Sequence, residues 1–180
     1  MDTLLFSERS LWTMLHGVVL GGGSLMALAA SLFSLCSMRA VATSGAAADQ
    51  QARHLATLLV LTAVLLWLAL LVGTYITFPP YRAAPPEGLT DLSAYPRALI
   101  RANPATAWLH SFAMETKEHV PWIAAMLATA VAAVCLRYRS QVLSDRPLNG
   151  MATAVVTICL LLVAYAGVLG VFVNKVAPLE

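Results

Sequence analysis

The segment HLATLLVLTAVLLWLALLVGTYITF, residues 54–78, contains no Asp, Glu, Lys or Arg and is apolar at most positions. About 20 apolar residues are enough for an α-helix to cross the hydrocarbon core of a bilayer. Inside that core every backbone amide has to find its partner within the protein, which a helix achieves without a second segment. The segment therefore predicts a transmembrane helix, and Pro79 and Pro80 are expected to end it.

The composition of the whole chain indicates the same class of protein. Of its 180 residues, 59% are hydrophobic and 11% are charged, which lies outside the usual range of soluble domains. The formal net charge of +2 is too small and too dispersed to indicate a nucleic-acid partner. The three cysteines have no CxxC or CxxCH spacing, so neither a zinc site nor covalent attachment of haem is predicted.

Three further apolar segments can cross a bilayer. Together with the first they predict spans at residues 12–37, 54–78, 119–136 and 151–174. The predicted fold is an all-α integral membrane protein, with one membrane domain over residues 1–180 built as a bundle of four transmembrane helices. In the first span, Gly17 and Gly21 have the GxxxG spacing that lets another helix, or a flat cofactor, approach the backbone closely.

The connection between the second and third spans is long for a small membrane protein. Residues 79–102 hold five prolines together with two tyrosines and three arginines. A connection of this length is usually either disordered or functional. We expect an ordered cap over one end of the bundle, which docks another membrane or periplasmic protein subunit.

An even number of spans places both termini on the same side of the membrane. The short loops between spans one and two and between spans three and four hold five of the eleven basic residues. Basic residues in short loops stay in the cytoplasm. The termini and residues 79–119 are therefore predicted on the periplasmic or exterior side, and the bacterial inner membrane is the expected location.

Ionisable and aromatic residues are concentrated in NPATAWLHSFAMETKEHVPW, residues 103–122. Asn103 followed by Pro104 is a helix-start signal, because Asn accepts free amide hydrogens and proline is tolerated in the first turn. Spacings of four, three and four residues then define one helical stripe, formed by Trp108, Phe112, Glu115 and His119. The pattern predicts an amphipathic helix at 104–119 that leads into the third span.

Glu115 and His119 lie one helical turn apart, so the carboxylate could orient the imidazole by accepting its second ring proton. His110 faces the opposite side of the same helix and is not expected to share a site with His119. In a simpler interpretation, METKEH is only the solvated end of a long helix, with Lys117 and both glutamates in water.

A second histidine lies at a similar depth on another helix. His16 is expected roughly 8 Å into the first span and His119 roughly 3 Å into the third, from the same side. Two histidines on separate helices are the ligands that a haem b requires in the core of a bundle. Together with Glu115, the same pair would suit a transition metal.

This plan resembles that of four-helix membrane b-type cytochromes, in the number of spans and in having histidines on separate helices. The resemblance implies one haem b between spans one and three near the exterior face. His54, near the opposite face, has no partner histidine in the fourth span, so a second haem is not implied.

Three functions are compatible with these features. The first is a membrane subunit of an electron-transfer or redox complex that holds one haem b or metal through His16 and His119, with Glu115 as the residue that orients. The second is a cofactor-free accessory subunit that docks partner proteins, and the third is a proton-coupled carrier. The chain has no GxSxG, HExxH or phosphate-binding glycine motif, so no enzymatic activity of its own is predicted.

Overall fold

The computed structural model describes residues 7–40 and 45–177, with only the backbone described for residues 38–40. Every regular element among these residues is a helix. Four helices are long and apolar enough to cross a membrane: Glu8–Ser37, Ala46–Arg82, Leu109–Tyr138 and Arg146–Val176. They are called here the first to fourth long helices. The prediction of an all-helical protein with four apolar helices of membrane-spanning length is confirmed.

The long helices pack in cyclic order. The first contacts the second, the second the third, the third the fourth, and the fourth the first. The first and third helices therefore lie on one diagonal of the bundle. The shared core is made of small and branched apolar side chains with no exposed surface, such as Leu35, Leu59, Ala125 and Val156. On the outside, large apolar residues such as Phe33 and Val171 are exposed, as a lipid-facing surface requires.

Several helix ends differ from the predicted spans; the second long helix, for example, begins at Ala46 rather than at residue 54. The second long helix continues through Pro79 and Pro80, because the two prolines occupy the first positions of a new helical segment, Phe78–Arg82, where an amide partner is not needed. The predicted amphipathic helix at 104–119 and the third span form one long helix that begins at Leu109 and passes through Pro121 without interruption. Residues 103–107 before it form turns.

Three segments of the long helices are π-helical: Leu15–Gly22, Gly73–Thr77 and Leu109–Met114. They belong to three different helices, and all lie toward the same end of the bundle. This end carries Ser7, Ala177 and the connection over residues 83–108, and is called here the cap end. Single π-helical turns insert an extra residue into a helix and are frequent at functional sites.

The connection at the cap end is packed against the helices. It contains the short helix Pro96–Ala102, whose Ile100 has no exposed surface and contributes to a second apolar cluster. The cluster also includes Tyr81 from the second long helix, Leu109 from the third and Leu169 from the fourth. The proline-rich connection is thus held over the end of the bundle by a core of its own.

Replacing Ile100 by Ala should loosen the cap, because truncating a fully buried Ile costs about 2–5 kcal/mol. Limited proteolysis of the purified protein should then cleave residues 83–95 faster than in the wild type. Leu89, which is 42% exposed, provides the control: Leu89→Ala should leave the cleavage rate unchanged. Equal cleavage of both variants would contradict the packed cap.

Candidate functional site

His16 lies inside the bundle, between the first and second long helices. It belongs to the π-helical segment Leu15–Gly22 and is half-buried. Its Nδ1 atom donates a hydrogen bond of 2.8 Å to the backbone carbonyl oxygen of Ala69. Because a carbonyl oxygen can only accept, this bond places the proton of a neutral imidazole on Nδ1 and leaves the lone pair on Nε2.

A glycine makes room for this imidazole. A Cβ atom at Gly73 would lie 2.7 Å from Cε1 of His16 and 3.2 Å from its Nδ1. Real Cβ atoms do not approach ring atoms so closely, so any other residue at this position would displace the ring. Gly73 also begins the π-helical segment Gly73–Thr77. Both helices therefore depart from regular α-helical geometry where the histidine lies between them.

Lys117 is the second ionisable residue directed into the bundle. Its side chain is half-buried, and a Cβ atom at Gly170 of the fourth long helix would lie 2.7 Å from its Nζ. Among residues 7–40 and 45–177, no hydrogen bond or ion pair involves the ammonium group. The interpretation that placed Lys117 in water, on the solvated end of the helix, is therefore wrong.

Lys117 could have been assigned to the interior from its phase along the helix. The buried residues of this part of the third long helix include Ala113, Ala124 and Ala128. Lys117 lies four residues after the first of these and seven before the second, which places it on the same face. The neighbouring residues Glu115 and Glu118 suggested that Lys117 is solvated. Its position on the buried face of the helix is the better predictor of its environment.

Residues from all four long helices lie at a similar distance from the cap end and form one level of the bundle. His16 and Lys117 lie eight residues from the cap ends of the first and third helices, Gly73 nine from that of the second, and Gly170 six from that of the fourth. These spacings correspond to depths of roughly 9–14 Å.

A second cation lies between this level and the cap end. Arg9 is half-buried, and its Nη2 atom is buried and has no hydrogen-bond partner among the described residues. Seven residues separate Arg9 from His16, so the two side chains lie on the same face of the first long helix. Cations that are left unpaired in an apolar interior are costly and usually mark a binding or transport function.

His119 occupies a different environment. It is exposed, and its Nδ1 donates a hydrogen bond of 2.7 Å to the backbone carbonyl oxygen of Glu115. The one-turn spacing therefore brings the imidazole to the Glu115 backbone, while the exposed Glu115 carboxylate is not the bonded group. The predicted bond between the Glu115 carboxylate and the imidazole is therefore not observed, and the contact between the two residues uses the backbone oxygen.

The structure does not bring the two predicted ligands together. His16 lies between the first and second helices, whereas His119 lies on an exposed face of the third, across the diagonal of the bundle. Within the described part of the chain, no group of three or more His, Cys, Asp or Glu side chains is arranged to hold a metal ion. Ligation by this pair with Glu115 stays a prediction.

The remaining histidines have other roles. His110 accepts a hydrogen bond of 3.3 Å at Nε2 from Nε of Arg97, and its Nδ1 lies 3.1 Å from the hydroxyl of Tyr81. Both ring nitrogens are occupied, so His110 is a structural link between the second long helix, the short cap helix and the third long helix. His54 is exposed toward the opposite end of the bundle.

The glycines of the GxxxG pattern do not form a close helix contact. A Cβ atom at Gly17 would meet no atom within 4 Å, and one at Gly21 would meet only the carbonyl oxygen of His16 in the same helix. The close approaches occur at Gly73 and Gly170, where a polar side chain of another helix fills the space. The predicted helix packing at Gly17 and Gly21 is therefore not observed.

Comparison of the chain with models of protein families, with curated proteins and with solved structures finds no match. The function is accordingly argued from the geometry of the site.

Replacing Gly73 by Ala should destabilise the protein by about 1–3 kcal/mol, because the added methyl group overlaps the ring of His16. Thermal unfolding in detergent would measure the effect. Gly167, where a Cβ atom would meet nothing within 4 Å, provides the control: Gly167→Ala should be neutral or stabilising. Combining Gly73→Ala with His16→Ala should recover stability, and an additive loss would contradict the contact.

Replacing Lys117 by Met should raise the melting temperature of the protein without a bound cofactor, because it removes an ammonium that has no partner among the described residues while keeping the volume of the side chain. The expected gain is about 1 kcal/mol. Lys175, an exposed residue near the end of the fourth long helix, is the matched control, and Lys175→Met should change stability little. A large loss of stability in Lys117→Met would mean that the ammonium has a partner.

Proposed function

We propose that the protein is a membrane subunit of an electron-transfer complex and holds one redox group between its long helices near the cap end. The observation that carries the proposal is the placement of His16 inside the bundle, with Nδ1 bonded to the carbonyl of Ala69 and the ring accommodated by Gly73. Ligating histidines usually have their second nitrogen bonded in this way, which fixes the tautomer and the ring orientation.

The surroundings of His16 suit a bound haem or metal better than those of His119. Both imidazoles use Nδ1 for a backbone carbonyl, so both retain the Nε2 lone pair that coordination requires. His16 is enclosed by two helices, whereas His119 is exposed. We propose His16 as the primary ligand. His119 lies on an exposed face across the diagonal of the bundle, so as the second ligand it would bind only after the third long helix turns this face toward His16; Glu115 contacts it through the backbone.

The charge of Lys117 favours haem b over a bare metal ion. A divalent ion beside His16 would add positive charge close to this ammonium, and repulsion between like charges is strong where the dielectric constant is low. In haem b the porphyrin compensates the charge of the iron, and two propionate groups can pair with cations. Lys117 and Arg9, both without such a partner among the described residues, suit these carboxylates.

An accessory subunit without a cofactor is the second candidate, and the packed cap favours it. The cap is held in place by its own apolar cluster, and exposes arginines that a partner protein could contact.

A proton-coupled carrier is the third candidate. His16 and Lys117 supply exchangeable protons at one level, but the second and fourth long helices contribute no Asp, Glu, His, Lys or Arg side chain at mid-span to continue the path.

We also propose that the membrane is the bacterial inner membrane and that the cap end faces the periplasm. The support is the placement of Arg53, Arg137, Arg139 and Arg146 near the opposite end, in or beside the two short connections. In this orientation the redox group would lie near the outer surface, within reach of periplasmic or membrane partner subunits.

Purified histidine variants test the proposed ligands. His16→Ala and His119→Ala should each reduce the haem or metal content per chain to near zero, whereas His110→Ala and His54→Ala should retain it. Glu115→Gln should retain most of the group, because its contact to His119 is made by the backbone. Equal loss in all four histidine variants, with lowered melting temperatures, would show misfolding and contradict specific ligation.

A further inference from the structure

Three arginines converge at the surface of the cap end. Arg82 lies at the end of the second long helix, and Arg97 and Arg101 lie one turn apart on the short helix Pro96–Ala102. Together with alanines and Pro85 they line an open cavity of about 450 Å³ that contains no acidic residue. A neighbouring cavity of about 610 Å³ shares Arg97 and Arg101 and is completed by His110, Ser111 and Glu115. The two cavities are called here the arginine cleft.

Contacts within the protein hold Arg97 and Arg82 in place without a ligand. Nε of Arg97 donates to His110, which in turn is bonded to the hydroxyl of Tyr81. The guanidinium of Arg82 lies 5.3 Å from the centre of the Phe78 ring. A guanidinium carries five N–H donors, so each of these arginines retains several for a ligand. Holding them in place reduces the entropy that binding would otherwise cost.

The arginines have no internal counter-ion. Among the described residues, no carboxylate lies within ion-pair distance of Arg82, Arg97 or Arg101, and Glu115 is the only acidic residue lining either cavity. The cleft therefore carries an excess of positive charge. Guanidinium groups arranged around a concave surface match the oxygens of a phosphate or carboxylate in charge and in geometry.

The position of the cleft relative to the membrane indicates which ligand it binds. Arg82 ends a helix of membrane-spanning length, and His110 and Ser111 are the second and third residues of another. The cleft thus lies at the level where the headgroups of lipids meet a spanning helix. A phosphate group is presented there continuously by the lipids themselves, and a cavity of about 450 Å³ is large enough for a headgroup.

We propose that the arginine cleft binds the phosphate of an anionic phospholipid headgroup, held between Arg82, Arg97 and Arg101. The lipid fills the space between the cap and the ends of the second and third long helices. Its bound headgroup supplies the negative charge that the cleft lacks. Lipid binding in the cleft does not require a redox group, so it can be tested independently of the electron-transfer function.

Native mass spectrometry of the full-length protein tests the proposal, with phosphatidylglycerol and phosphatidylcholine added separately. We expect phosphatidylglycerol to be retained at about one molecule per chain and phosphatidylcholine to be retained far less. Arg101→Gln and Arg82→Gln should each weaken the retention of phosphatidylglycerol about tenfold, as removal of one charge-assisted contact does. Arg137→Gln, an exposed arginine at the opposite end, removes the same charge and should leave retention within about twofold.

Competition experiments distinguish the phosphate of a lipid from other anions. Inorganic phosphate at millimolar concentration should not displace phosphatidylglycerol, because it lacks the acyl chains that add binding energy. Displacement by phosphate alone, or tighter retention of an acidic peptide than of the lipid, would overturn the assignment to a lipid. Equal retention of the two lipids, or unchanged retention in both cleft variants with normal melting temperatures, would overturn the site itself.

Discussion

The hydrogen bond from His16 to the carbonyl of Ala69 is the polar link between the first two long helices on which the proposed site depends. A polar side chain in an apolar interior is stable only if its hydrogen-bonding groups find partners. The imidazole reaches its partner because Gly73 has no side chain, and because π-helical segments on both helices shift the residues around it. The result is a histidine of defined tautomer at a defined depth, with Lys117 and Gly170 completing the same level from the other two helices.

The cap end contains features that a purely structural bundle would not need. Lys117 and Arg9 bring positive charge into or next to the interior, and Arg82, Arg97 and Arg101 concentrate it at the surface. A cation in the interior lowers stability unless an anion compensates it. Among the described residues, the buried core of the opposite half holds apolar side chains and the neutral polar side chains of Ser31, Thr62 and Asn149. This asymmetry along the bundle axis is the reason for placing both proposed ligands, a redox group inside and a lipid headgroup outside, at the same end.

Much of the fold could be predicted because the bilayer imposes a simple rule: apolar segments of about 20 residues become helices. The rule finds the four helices but not their ends. Pro79 and Pro80 end a helix in most contexts, whereas here they begin a new helical segment after Gly73–Thr77, and π-helical turns leave no clear pattern in a sequence.

The site was less predictable, because it depends on contacts between distant helices. His16 was singled out as a histidine inside a predicted span, and the glycine that accommodates its ring is Gly73 rather than a neighbour in its own helix. Lys117 was assigned to water because charged residues near helix ends usually are. Its phase relative to Ala113 and Ala124 is a local signal that would have corrected the assignment. The arginine cleft required the folded connection, which no local pattern specifies.

The visible spectrum of the intact protein, reduced minus oxidised, with metal analysis of the same detergent-purified sample, tests the central claim most directly. The electron-transfer account predicts a Soret shift and a sharp α-band with about one haem iron per chain, bound through the histidine inside the bundle. A flat spectrum from protein that retains its bound lipid and its melting transition, without bound metal, would contradict the account and leave an accessory subunit that docks partners through its cap.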